Sequence, residues 1–172
     1  MNIFYLNHDP VRAAQDHCDK HVVKMVLETA QLLCSAHRIL DIEVPDVFYK
    51  ATHIYHPSAI WVRSNSAQYQ WTFNLFHALS TEYHWRYGKS HLSYLKLAEY
   101  LIKPPANIPE GKFTDPPQCM PDAYKRPDTV EAYRAYYMHE KARFARWEYT
   151  VTPHWFRHPM ENQNENLLSE LT

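Results

Sequence analysis

The chain has 172 residues, a formal net charge of −1, two glycines, and 15% aromatic residues, with thirteen Tyr, five Trp and twelve His. That length suffices for one domain with a real core, and the near-neutral charge excludes a global basic field for nucleic acid, so any anion site must be local. Scarce glycine favours long helices over turn-dense β architecture. The expected fold is mainly α, a single-domain helical bundle over residues 1–160, with a polar, frayed tail over 161–172.

Met1–Asn7 is short, apolar and aromatic. It reads as a candidate strand, a small terminal β element whose one faint partner is Thr150-Val151. Asp9-Pro10 then signals a helix start, and no Gly or Pro interrupts the chain until Pro45, so the first helix is expected to run from Pro10 to Leu40, bent near Asp16. His56-Pro57 opens a second helical region reaching Tyr87, with phase lost near Ser64-Asn65-Ser66 and Gly88 as its stop. Ile60 and Trp61 belong to its expected core face. Ser90–Ile102 reads as a shorter helix burying Leu92, Leu95 and Leu97. Pro104–Pro121 carries six prolines and must be an extended connector, pinned by Ile108, Phe113 and Met120. Asp128-Thr129-Val130-Glu131 resembles a capping box that starts the last helix.

The richest stretch is Asp16-His17-Cys18-Asp19-Lys20-His21-Val22-Val23-Lys24, followed by Glu28 and Gln31. At about 100° per residue, His17, His21, Lys24, Glu28, Gln31 and Ser35 share one narrow stripe flanked by Lys20, and Val22, Val23, Val26, Ala30 and Leu33 lie opposite. A polar stripe between apolar flanks is expected to line a cavity. His17 and His21 at i, i+4 could hold a metal with Glu28 as a third ligand, but the motif lacks the water-activating Glu of HExxH sites, and Lys20 and Lys24 disfavour a second cation. An anion suits the set better: His and Lys donate to phosphate or carboxylate, and Glu28 serves as acid or base. The bland alternative is a Lys24–Glu28 surface pair.

Asp19 and His37 project toward the expected core side and read as structural hydrogen bonders. Cys18, Cys34 and Cys119 are odd in number and widely spaced, which points to reduced thiols rather than disulfides or a Cys-based zinc site; Cys18 has no base beside it. Tyr133, Tyr137 and Lys141 share a face of the last helix, where Tyr can stack on bases and Lys can hold phosphate. His56 next to Pro57 could place an imidazole beside free helix N–H groups.

The segment from Asp9-Pro10 through His17-Cys18-Asp19-Lys20-His21-Val22-Val23-Lys24-Met25, Glu28 and Gln31-Leu32 to His37-Arg38 resembles a family of small tailed-bacteriophage proteins of unassigned function. The resemblance continues through His56-Pro57, Tyr87-Gly88-Lys89, Met120-Pro121 and Tyr133 to Trp147. It carries no chemistry to transfer, but it implies a setting in which nucleotides and DNA bases are common substrates. Phosphate loops, dinucleotide turns, zinc-deaminase patterns and serine elbows are all absent from the sequence, so no cofactor is expected.

The expectation is therefore a phage enzyme acting on a nucleotide or nucleic-acid base by acid–base chemistry, of glycosidic-bond or base-modification type. Glu28, His21 and Lys20 would be catalytic, and His17, Lys24, Gln31, His56, Tyr133, Tyr137 and Lys141 would bind the ligand. The alternatives are a non-enzymatic protein that sequesters a nucleotide, or a metal-dependent enzyme using His17 and His21. With no signal-peptide pattern and no apolar run of about 18 residues, the expected location is the cytoplasm of an infected host cell, without a membrane partner.

Overall fold

Local chemistry starts each helix where the sequence places it. In the computed structural model the Asp9 carboxylate accepts the Val11 N–H at 3.0 Å, and Pro10 occupies the first turn, where no N–H is needed. The structure describes residues 1–156, so the tail read over 161–172 lies outside the described residues. The elements are α1 (Pro10–Asp16), α2 (Asp19–Leu40), α3 (Pro57–Val62), α4 (Ser66–Tyr87), α5 (Leu92–Leu101), a 3-10 turn (Asp122–Tyr124) and α6 (Thr129–Tyr136), which runs into one turn of π-helix (Tyr137–Lys141). The fold is mainly α.

The single helix expected from Pro10 to Leu40 is broken at His17-Cys18. Distant segments take the backbone groups that a continuous helix would pair internally. Arg86 donates to the carbonyls of Gln15 (3.0 Å) and His17 (2.7 Å), and the Trp147 indole donates to Asp16 O (3.2 Å). Cys18 N donates to the Tyr137 hydroxyl (3.0 Å) and Asp19 N to Arg146 O (2.9 Å). The break costs no unpaired backbone groups there, so it is a docking point.

The other boundaries follow their signals. Asn65 accepts N–H bonds from Ala67 and Gln68, splitting the second helical region into α3 and α4 where the periodicity fails. Gly88 ends α4 in the left-handed region at φ 67°, which a residue with a Cβ adopts only with strain. Asp128 accepts the Glu131 N–H and caps α6.

Helix α4 is central: α1, α2, α3 and α5 all pack against it. Val22, Val26, Ala30 and Leu33 of α2 are fully buried, whereas Val23 lies outside. Ile60, Leu92 and Leu95, expected in the core, are exposed; α5 instead buries Ser93, Leu97 and Leu101. Of the connector residues, Met120 is buried and Ile108 packs on the core, while Phe113 sits edge-on to Trp61.

The described residues contain no strand. Met1–Asn7 has no regular secondary structure and threads into the core, burying Ile3, Phe4, Tyr5 and Leu6. It is tied by Asn2 donating to Cys119 O and Arg134 donating to Leu6 O, and Thr150 and Val151 are exposed rather than paired with it. No helix among the described residues is long and apolar enough to cross a membrane.

The last helix does not lie along α2, so Val26 and Leu33 do not meet Phe144 and Trp147 as a side-by-side packing would require. Phe144 reaches His21 (ring centroids 5.3 Å), and Trp147 packs against Tyr137 (6.3 Å) and Phe156 (4.6 Å). Trp147 therefore seals the α1–α2 break. Trp147→Ala is expected to cost about 3–5 kcal/mol, lowering the thermal midpoint by about 6 °C or more; an unchanged melt would refute this placement.

Candidate functional site

The stripe on α2 separates by depth. His17 and Ser35 are enclosed, His21 is 5% exposed, Glu28 and Gln31 are partly exposed, and Lys20 and Lys24 are in solvent. The His residues are covered because the Met1–Asn7 segment lays Phe4 across them. Phe4 stacks on His21 (4.4 Å, 23°) and meets His17 edge-on, and Tyr137 stands edge-on to His21 at 5.1 Å. Within this aromatic box His17 Nδ1 donates to Ala13 O at 2.6 Å, which leaves Nε2 as an enclosed acceptor. Among the described residues, neither His17 Nε2 nor His21 Nδ1 has a hydrogen-bond partner.

Burial pushes the His17 pKa down to about 4. Burial, then the charges of His17, Lys141 and Lys24, push His21 down to about 2. Both imidazoles are neutral at pH 7, so neither can act as the cationic anion donor expected of the stripe. No group of three His, Cys, Asp or Glu side chains among the described residues converges as a metal site.

Lys20 points to the other side of α2, into a cavity of about 360 Å³ lined by Asp19, Val23, Tyr87, Phe144, Arg146, Glu148 and Tyr149. Asp19 organises its walls. Its backbone N–H donates to Arg146 O, its carbonyl accepts the Tyr87 hydroxyl (3.3 Å), and its carboxylate accepts the Glu148 N–H (2.7 Å). Buried Arg86 holds the other carboxylate oxygen at 3.1 Å. The structural role read for Asp19 is thus also the means by which three wall residues are positioned. Tyr87 and Tyr149 lie 5.1 Å apart on one wall, and Phe144 carries Lys20 Nζ at 5.6 Å and the Arg143 guanidinium at 5.5 Å over its ring. Among the described residues, Lys20, Arg143 and Arg146 have no carboxylate within 4.0 Å. Arg146 Nη1 donates to Ala142 O (3.2 Å) and Ala145 O (2.7 Å). Cations without a carboxylate partner beside aromatic walls suit a planar, anionic ligand.

The remaining expected residues lie elsewhere. Glu28 is two turns beyond Lys20, about 12 Å along α2, and pairs with Lys24 at 3.2 Å. His56 spends its Nδ1 accepting the Ser58 N–H and so caps α3 itself, occupying the place foreseen for an anion. Burial lowers its pKa, helped by the N-terminal amine and His53 and opposed by Glu28. Tyr133 and Tyr137 are enclosed: the single Tyr133 hydroxyl proton is shared between Pro117 O (2.7 Å) and Asn2 Oδ1 (2.9 Å), and Tyr137 receives Cys18 N–H. They are structural hydroxyls in the core rather than base-stacking surfaces. His37 bonds Asp41 and Tyr69, as its structural reading anticipates. Lys141 is partly exposed, its Nζ 4.6 Å above Tyr136 and 3.2 Å from that hydroxyl.

Sequence reasoning did not select Tyr87, Arg86, Arg146, Glu148 or Tyr149. Tyr87-Gly88 sits at the end of α4 and Arg146-Trp147 in irregular chain after the π turn, and nothing local links either to Lys20. Comparison with protein-family models, curated proteins and solved structures found no match.

Proposed function

We propose that the protein binds a nucleotide or nucleic-acid base in the Lys20 cavity and acts on it by acid–base chemistry. One observation carries the reading: three aromatic side chains and two carboxylate-free cations, Lys20 and Arg146, line one nucleotide-sized cavity. A base fits against Tyr87, Tyr149 and Phe144, and phosphate lies by Lys20 and Arg146. Asp19 is saturated by Arg86 and Glu148 N–H, so Glu148 is the lining carboxylate free to move a proton. Glu28 stands outside the cavity. A glycosidic-bond or base-modification reaction fits these groups, and the resemblance to phage proteins supports action on nucleotides in an infected cell.

The saturation of Asp19 also favours a second reading, sequestration without turnover, because it leaves one free carboxylate where acid–base catalysis commonly uses two groups. The experiment is mass spectrometry of molecules retained by the purified protein, then equilibrium dialysis against nucleoside monophosphates. Lys20→Ala is expected to weaken binding about tenfold or more, with an unchanged melt. Glu148→Gln should retain binding and lose turnover by about 10²–10⁴, whereas Glu28→Gln should turn over normally. Binding without consumption of ligand by the wild-type protein selects sequestration. Failure to bind any nucleotide overturns the site.

A further inference from the structure

Beside the cavity, the surface formed by the 3-10 turn and the π turn alternates rings and cations. Tyr124 stacks on His139 (5.6 Å, 24°) and lies 5.6 Å from Tyr136. Its hydroxyl donates to Glu140 Oε1 at 2.6 Å, which fixes the ring. Lys141 stands over Tyr136, and Arg143 stands over Phe144, the ring that also walls the cavity. His139 and Arg143 are exposed, and Tyr124, Tyr136, Lys141 and Phe144 are partly exposed.

A mononucleotide in the cavity leaves this shelf unused. The Tyr124–His139 pair is held open to solvent by a specific hydrogen bond, and Lys141 and Arg143 have no carboxylate within 4.0 Å among the described residues. Aromatic faces interleaved with unpaired cations match the chemistry of a single strand, whose bases stack while its phosphates pair. Three carboxylates lie near this path: Asp122 is paired with Lys125 at 2.7 Å, Glu140 accepts the Tyr124 hydroxyl but keeps its charge, and Glu148 lies within the cavity.

Building on the proposed nucleotide site, we infer that the ligand is single-stranded nucleic acid. One nucleotide occupies the Lys20 cavity and the adjoining bases run over the Phe144–Tyr136–Tyr124 shelf. The contacts are to ring faces and phosphates, so binding tolerates sequence, and near-neutral overall charge confines it to this path.

The test is fluorescence anisotropy with labelled oligothymidylate and oligouridylate of about eight nucleotides, set beside equilibrium dialysis of the matching monophosphates. The oligomer should bind at least tenfold more tightly than the monomer, and the DNA and RNA arms show which sugar is preferred. Tyr124→Ala and His139→Ala, at surface rings, should weaken oligomer binding about tenfold, leaving monophosphate binding and the circular-dichroism melt unchanged. Lys141→Ala should lower the salt-dependence slope by about 0.7. An oligomer bound no better than the monomer, or bound equally by the Tyr124 and His139 variants, overturns the strand path and leaves the cavity reading standing. Absence of binding by both oligomer and monomer overturns both.

Discussion

Arg86→Ala is expected to destabilise the protein by about 3–5 kcal/mol, the usual cost of removing one partner from a buried ion pair. Arg86 is 6% exposed, and its guanidinium serves four partners: Asp19, Glu82, and the carbonyls of Gln15 and His17. Deleting it leaves the buried Asp19 carboxylate without a cation and frees two carbonyls at the α1–α2 break. Arg86→Lys restores charge but not the planar fork, so it should recover less than half of the loss. Asp19→Asn should be milder, because the amide can still accept one bond while Arg86 keeps Glu82. Urea unfolding of the three variants measures this ordering. An Arg86→Ala protein within about 1 kcal/mol of wild type would show that the break is held by Tyr137, Trp147 and the Arg146 carbonyl without it. A loss of stability should also loosen the cavity, since Asp19 carries Tyr87, Arg146 and Glu148.

Acidification is expected to have the second large effect. His17, with a folded pKa of about 4, and His21, with one of about 2, are both lowered from an ordinary 6.5 by burial. Above pH 6.5 folded and unfolded chains are alike neutral at these positions, and the full stability is present. As pH falls below 6.5 the unfolded chain binds protons that the folded chain refuses, so stability declines by about 1.4 kcal/mol per pH unit for each His. Between pH 6.5 and 4 the two imidazoles together remove stability on the order of a few kcal/mol. Asp16 works in the opposite sense, because burial raises its pKa and protonation favours the folded form.

His21→Phe keeps a ring against Phe4 and removes an unpartnered nitrogen, so it should flatten the decline and leave pH 7.5 stability near wild type or above it. Urea midpoints at pH 7.5, 6, 5 and 4.5 read this directly. Equal slopes for wild type and His21→Phe would mean that His21 is hydrated in solution.

Much of the helix plan was legible because the signals that set it act within one turn. Asp9-Pro10, Asn65, Gly88 and Asp128 each cap or end a helix through their own side chain or backbone freedom, and all four do so in the structure. The structural roles of Asp19 and His37 were legible as well, since polar side chains on a core-facing stripe must find partners. The candidate site was legible in part. Lys20 was selected and lines the cavity, while its neighbours there come from α2 itself, the C-terminal end of α4 and the chain beyond the π turn. Lys141, also selected, is partly exposed beside Tyr136 and outside that lining.

The sequence by itself determined a mainly helical chain, its caps, and the polar stripe of α2, because these depend on periodicity and on residues a few positions apart. Tertiary structure alone decided depth. Phe4, seventeen residues before His21, covers the His pair and turns expected donors into neutral core groups, and Arg86, sixty-seven residues from Asp19, takes the backbone that would have continued helix one. It also sorted the tyrosines, placing Tyr133 and Tyr137 inside and leaving Tyr124 and Tyr136 facing outward in part. Burial is a property of which segment lies over a face, and helical phase states only which residues share that face.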